Sequence, residues 1–138
     1  MRGVNAIKAI HICYGYGVPG VLAWKNQNQD WGHYGVTLPL LAQSSIDQVS
    51  VECAASGVDV SVLAALQGKD VMLGVIDVGT DEVETPDTVA ERIRRAFLHA
   101  APERLIAAPD CGMKYLSRDA AFGKLEALVE GARLAVGS

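Results

Sequence analysis

Four short apolar runs, each ending in polar or glycine-rich residues, constrain the fold of this chain more than any other feature. They are Ala6-Ile7-Lys8-Ala9-Ile10-His11-Ile12-Cys13, Val49-Ser50-Val51-Glu52-Cys53, Val71-Met72-Leu73-Gly74-Val75-Ile76-Asp77-Val78 and Leu105-Ile106-Ala107-Ala108. Their length and β-branched content favour buried parallel strands over helices. Between the runs lie helical patterns. Thr85 is a good N-cap, with Pro86 at the first helical position and Asp87 in the first turn. Beyond it Val89, Ile93, Ala96, Phe97 and Ala100 recur at helical spacing, and Pro102 stops the helix. A last helix is expected from about Arg118 to Ala135, with Ala121, Leu125, Leu128, Val129 and Ala132 on its apolar side. Shorter helical pieces are expected near Leu38–Gln43 and Ser61–Gln67. Strands alternating with helices predict an α/β fold of four consecutive βα units with a parallel sheet.

Four such units cannot close a barrel of eight strands, and they are few for a doubly wound sheet. Either they belong to a larger domain, or two copies assemble. Nothing in composition divides the 138 residues, which read as a single domain. A net charge of −4 without a basic stretch argues against nucleic-acid binding. Nowhere does an apolar run approach the roughly 20 residues needed to span a bilayer. The first residues lack the apolar core of a secretory signal, so the expected address is the cytoplasm. Three cysteines are too few and too scattered for a disulfide scaffold, which leaves buried residue, reactive thiol or metal ligand.

Polar residues gather at the C-terminal ends of the runs, where parallel α/β folds place their active face. These ends offer His11 and Cys13, then Glu52, then Asp77, then Asp110 and Cys111. His11 and Cys13 are two apart, so on one strand they point to the same side and can reach one ion. An imidazole, two thiols and a carboxylate suit zinc. Glu52 follows Cys13 by 39 residues and Cys111 follows Glu52 by 59, the long-range spacing of ligands supplied by separate strands. Blander readings stand beside this one. His11 and Cys13 could be core residues, Glu52 could sit in a buried salt bridge to Lys8, Lys69 or Lys114, and Asp110-Cys111-Gly112 could be a turn with Gly112 in the left-handed conformation. Glu82 and Glu84 fall in a polar loop before a capped helix and read as solvated acids. His33 and His99 read as structural or solvent-exposed.

Taken in order, His11-Ile12-Cys13-Tyr14, Val51-Glu52-Cys53-Ala54-Ala55-Ser56, Gly74-Val75-Ile76-Asp77 and Pro109-Asp110-Cys111-Gly112-Met113-Lys114 resemble successive strand-end motifs of one family. That family is the cobalamin-independent methionine synthases, and the similarity is to the C-terminal half of their catalytic, uroporphyrinogen decarboxylase-like (β/α)8 barrel. Val83-Glu84-Thr85-Pro86-Asp87 and Pro102-Glu103-Arg104-Leu105 extend the resemblance over nearly the whole chain. It implies a half-barrel with zinc held by His11, Cys13, Glu52 and Cys111. It also implies a methyltransferase in which the metal keeps the homocysteine sulfur as a thiolate that attacks a methyl-tetrahydrofolate. Two thiolates and a carboxylate against a divalent ion make an electron-rich site, and Glu52, the hardest donor, is expected to loosen first when substrate sulfur arrives. Asp77 is expected to orient substrate or support the site from its strand end.

The chain departs from the family pattern in three ways. Where the third motif usually reads Asp-Ile-His, this sequence has Asp77-Val78-Gly79, which opens the donor to a methyl-corrinoid as well as a folate. Between Tyr14 and Ser45 the segment is longer, and its Trp24, Lys25, Asp30, Trp31, His33 and Tyr34 form either a lid, a donor-docking surface or a packed loop with two buried tryptophans. The first four βα units of the barrel are missing, which points to a homodimer or to a separate N-terminal half-barrel as partner. Two other functions remain open from sequence: a catalytically incomplete zinc-binding half-barrel, and a methylcobamide:coenzyme M-type thiol methyltransferase.

Overall fold

The computed structural model describes Gly3, residues 5–28 and residues 33–137. The four apolar runs become β1 (Ala9–Ile12), β2 (Gln48–Val51), β3 (Asp70–Ile76) and β4 (Leu105–Pro109). They form one sheet in the order β1-β2-β3-β4, every neighbouring pair parallel. The connections carry α1 (Pro19–Gln27), α2 (His33–Ala42), a 3₁₀ segment (Val60–Leu66), α3 (Pro86–Ala96) and, after β4, α4 (Arg118–Val136). The alternation of strand and helix is therefore as expected.

The two faces of the sheet have opposite fates. Val49, Val51, Val71 and Leu73 point to the helix side and are buried with Leu38, Leu63, Val89 and Ile93. On the other face His11, Ser50, Met72 and Ala108 line an open cleft of about 400 Å³ together with Ala9 and Cys111. Strict alternation along a strand produces this split, because residues two apart share a face. The edge-strand residues Ile10 and Ile106 stay exposed.

Local chemistry sets the helix boundaries. Thr85 accepts from the Thr88 amide, and Pro86 occupies the first turn, as the sequence predicts. Ser117 caps α4 through the Ala120 amide, and Gly137 ends it in the left-handed conformation. Two helices differ from expectation. Helix α1 is absent from the sequence reading because it opens on Pro19-Gly20 and carries no clear apolar stripe. Helix α2 begins five residues before Leu38 and runs through Pro39, held by the buried Tyr34 and Leu38 despite the proline.

The apolar face assigned to α4 also needs correction. Leu125 and Val129 are exposed, whereas Ala120, Lys124, Ala127, Gly131 and Ala135 are buried. Close approach to α3 selects small residues over large apolar ones here. A Cβ on Gly131 would lie 2.5 Å from the Val89 Cβ and 2.8 Å from the Pro86 carbonyl oxygen. Gly131→Ala should therefore force α3 and α4 apart and cost about 1–3 kcal/mol, the usual range for overpacking, despite alanine's better helix propensity. The shift in urea midpoint at constant slope measures this; a stabilised variant would show that the helix pair gives way freely.

Candidate metal centre

β1 and β4 are the outer strands of the sheet, and neighbouring strands lie about 4.8 Å apart, so in a flat sheet they would stand roughly 14 Å from each other. Yet ligand atoms of His11 and Cys13, from the end of β1, and Cys111, from the end of β4, all lie within 4.8 Å of one another. The strand ends have curled toward one another, as the wall of a barrel requires. The two sulfurs are 3.8 Å apart. His11 Nδ1 lies 2.8 Å from Ser50 Oγ, on the adjacent strand of the same face. With the Nδ1 proton donated to that hydroxyl, Nε2 carries the lone pair, the arrangement in which a histidine is oriented for coordination. Burial raises the Cys13 thiol pKa, a Gly15 backbone hydrogen bond opposes this, and the nearby Cys111 and Glu52 raise it further.

Glu52 is placed beside this cluster and fully buried. Its Oε1 accepts from the Tyr14 amide at 2.7 Å, next in sequence to Cys13. Its Oε2 accepts from the Tyr16 hydroxyl at 2.7 Å and from Lys25 Nζ at 2.6 Å. The buried salt bridge that sequence allowed for Glu52 thus exists, but its cation is Lys25. Of the lysines first considered, Lys8 pairs with Asp47, Lys69 donates to the carbonyls of Ser44 and Ile46, and Lys114 lies over the Tyr115 ring.

Asp110 forms a second buried node. Its Oδ1 accepts from the amides of Cys53 and Ala54, and its Oδ2 from the Ala55 amide and lies 2.9 Å from the Tyr16 hydroxyl. Burial raises its carboxyl pKa, and those backbone amides only partly counter the shift. The same surroundings push the Tyr16 hydroxyl far above its ordinary value, with burial the largest cause and the charges of Asp110 and Glu52 next. Asp110, the residue before Cys111, is thereby tied to the turn after β2, which fixes where the Cys111 thiol starts from the strand end. The chain bends at Asp110 and Cys111 straight after β4, but Gly112 is not in the left-handed conformation expected of it.

Asp77 stands apart from the donor cluster. Its Oδ1 accepts from the Gly79 amide, and its own amide donates to Glu84 Oε1 at 2.7 Å. Glu84 is not a solvated acid: it pairs with Lys124 at 2.9 Å and Arg92 at 3.2 Å. Burial, and then Asp110 and Glu52, raise the Cys53 thiol well above its ordinary value.

In the long segment after β1, Tyr14 stacks on Trp24 and meets Tyr34 and His33 edge-on. Trp24 remains partly exposed, so it is not the buried tryptophan that a packed loop would have. Asp30 and Trp31 lie outside the described residues. The Tyr34 hydroxyl is buried, with Glu52 among its charged neighbours. Sequence reasoning missed Tyr16, and it gave Lys25 and Tyr34 to a lid or docking segment and not to the surroundings of Glu52, because no local spacing links them to it. The one available signal was the apolar setting of Glu52, which demands a cation.

The family model for the cobalamin-independent synthase catalytic domain matches residues 32–134. A methionine synthase of Saccharolobus islandicus strain Y.G.57.14 is 33% identical over 136 residues, and one from Sulfurisphaera tokodaii is 28% identical over 134. Both alignments cover 97% of this chain but only 36% and 35% of the relatives. Among solved structures, a B12-independent methionine synthase from Shewanella sp. W3-18-1, in complex with selenomethionine, superposes with a TM-score of 0.93 at 39% identity. That match covers 98% of this chain and 40% of the other. The four-stranded unit is thus a half-barrel, and the chain spans about a third of the length of the curated relatives it matches.

Proposed function

This chain belongs to the family of cobalamin-independent synthase catalytic domains, and from that premise we propose that it is the zinc-binding half of a thiol methyltransferase of methionine biosynthesis. The convergence of His11, Cys13 and Cys111 within 4.8 Å is the observation that carries the proposal. The donor set fits zinc. Tetrahedral ligation with Zn–S bonds near 2.3 Å separates two sulfurs by about 3.8 Å, and the Sγ–Sγ distance here is 3.8 Å. One nitrogen and two sulfurs would leave a fourth position, which Glu52 or a substrate sulfur would fill. The chemistry supplied by zinc in this setting is retention of a substrate thiol as thiolate near neutral pH, where a free thiol is mostly protonated.

The residues of the chain divide the remaining work. Ser50 orients the His11 ring, and Asp110, the residue before Cys111, is anchored to the turn after β2. Glu52 is the donor held most loosely by the site, since it already has a protein cation. Asp77 orients substrate from the end of β3. The acceptor is homocysteine and the donor a methyl-tetrahydrofolate or a methyl-corrinoid. The open sheet face and its exposed edge residues favour a partner, either a second copy or an N-terminal half-barrel. No helix among the described residues is long and apolar enough to cross a membrane, and the proposed address is the cytoplasm.

Metal analysis of the purified chain tests the proposal. We expect one zinc per chain in the parent and less than about a tenth of that in His11→Ala and Cys111→Ala, since one open ligand set cannot spare a donor. Equal metal in all three proteins would remove the site.

A further inference from the structure

We propose that Lys25 is the counter-ion that Glu52 exchanges for the metal: its ammonium holds the carboxylate in the metal-free chain and yields it on loading. This rests on the zinc site proposed above and makes Lys25 a positioning residue acting through Glu52.

Three observations lead to it. Lys25 Nζ and Glu52 Oε2 are 2.6 Å apart, with side chains only 6% and 0% exposed. Two ions so buried carry a large desolvation penalty, which their mutual attraction offsets in part. Second, the carboxylate is held beside the donor cluster, because the Tyr14 amide that binds Oε1 follows Cys13 in the chain. A divalent ion at His11, Cys13 and Cys111 is therefore a second cation competing for one carboxylate. Holding both cations on it would set like charges close together in a medium of low dielectric constant. Third, Lys25 is the only buried residue of α1. A surface helix ordinarily docks through an apolar stripe. This one inserts a lysine, whose Nζ also sits 3.8 Å from the centroid of the Tyr16 ring. The four-carbon stem gives the ammonium room to leave without unfolding the helix. Docking of α1 and loading of the metal are then reciprocally linked, each weakening the other by the same factor.

The experiment uses the full 138-residue chain and zinc alone. Competitive chelator titration should show zinc bound about fivefold or more tightly by Lys25→Met than by the parent. Lys25→Arg, which keeps a cation, should return to near the parent value. In a Glu52→Gln background the Lys25→Met effect should vanish. A purely structural lysine would leave zinc affinity unchanged or lower it when removed. The second measurement needs no variant: an amine-acylating reagent followed by mass spectrometry should modify Lys25 slowly in the metal-free parent and faster once zinc is loaded. Unchanged or weaker zinc binding in Lys25→Met, or equal protection of Lys25 in both forms, overturns the exchange. A parent chain that takes up no zinc instead overturns the metal site beneath it, so the two failures are distinguishable.

Discussion

Glu84→Gln is expected to destabilise the chain by about 3–5 kcal/mol, the cost of stranding a buried charge. Glu84 collects three donors from three elements: the Asp77 amide at the end of β3, Arg92 on α3 and Lys124 on α4. Lys124 is fully buried, and its other partner is the Glu82 carbonyl oxygen. Neutralising Glu84 leaves that ammonium inside the protein without a countercharge. Arg92 is less affected, because it also donates to the Val75 carbonyl at 2.7 Å and is partly exposed.

The acid dependence follows from the carboxyl itself. Burial alone would raise the Glu84 pKa, but the Lys124 hydrogen bond and the Asp77 amide outweigh it, so the value lies below the ordinary 4.5. A depressed folded-state pKa contributes stability that is present above the unfolded value and is lost as pH falls through the folded one. The gap between parent and Glu84→Gln should thus be full near neutral pH and shrink below about pH 4. Urea melts at both pH values measure it. Adding Lys124→Met to Glu84→Gln should recover part of the loss, since the stranded charge is then gone. A single variant within about 0.5 kcal/mol of the parent would show that water reaches Lys124 and that the pair is a surface one.

This network shows what the sequence could and could not disclose. Strand positions were legible because burial on the helix side needs apolar β-branched residues in short runs, and the polar strand ends stood out against them. His11 and Cys13 were legible as a pair because the two-residue period puts them on one side. Cys111 joined them through an ordered set of motifs, not through any local spacing. What was hidden is long-range and charged. Glu84 sits in a stretch, Thr80 to Thr85, that has the composition of a solvated loop, and only the packing of α4 against α3 reveals its buried lysine. The apolar stripe on α4 misled for the same reason. Helix contacts made through Gly131 and alanines leave the larger Leu125 and Val129 outside. The pairing of Lys25 with Glu52 was hidden because α1 lacks the periodicity by which a docked helix is recognised.

Asp110→Ala should cost about 3 kcal/mol or more and should also abolish the proposed zinc binding. The carboxylate satisfies three consecutive backbone amides, of Cys53, Ala54 and Ala55, at 3.0, 3.0 and 2.7 Å. Each buried donor left without a partner costs about 1–3 kcal/mol, although neighbouring losses do not simply add. The turn after β2 would then loosen, and with it the register between Glu52 and Cys111. Asp110→Asn should be milder: one oxygen can still serve Cys53 and Ala54, but the new amide group faces the Ala55 N–H. The seat of this carboxylate is narrow, since a Cβ on Gly74 would lie 2.2 Å from Asp110 Oδ1 and 2.8 Å from the Val51 carbonyl oxygen. Gly74→Ala should therefore reproduce the defect while leaving every polar group in place. His11→Ala provides the contrast. His11 is exposed and its ring is bonded to Ser50 alone among the described partners, so its loss should abolish zinc binding with a stability change below about 0.5 kcal/mol in the metal-free chain. Urea midpoints and zinc content, measured on the same four variants, separate the two roles. If Asp110→Ala melted like the parent and still bound zinc, the turn would be held by other contacts, and Asp110 would have no part in placing Cys111.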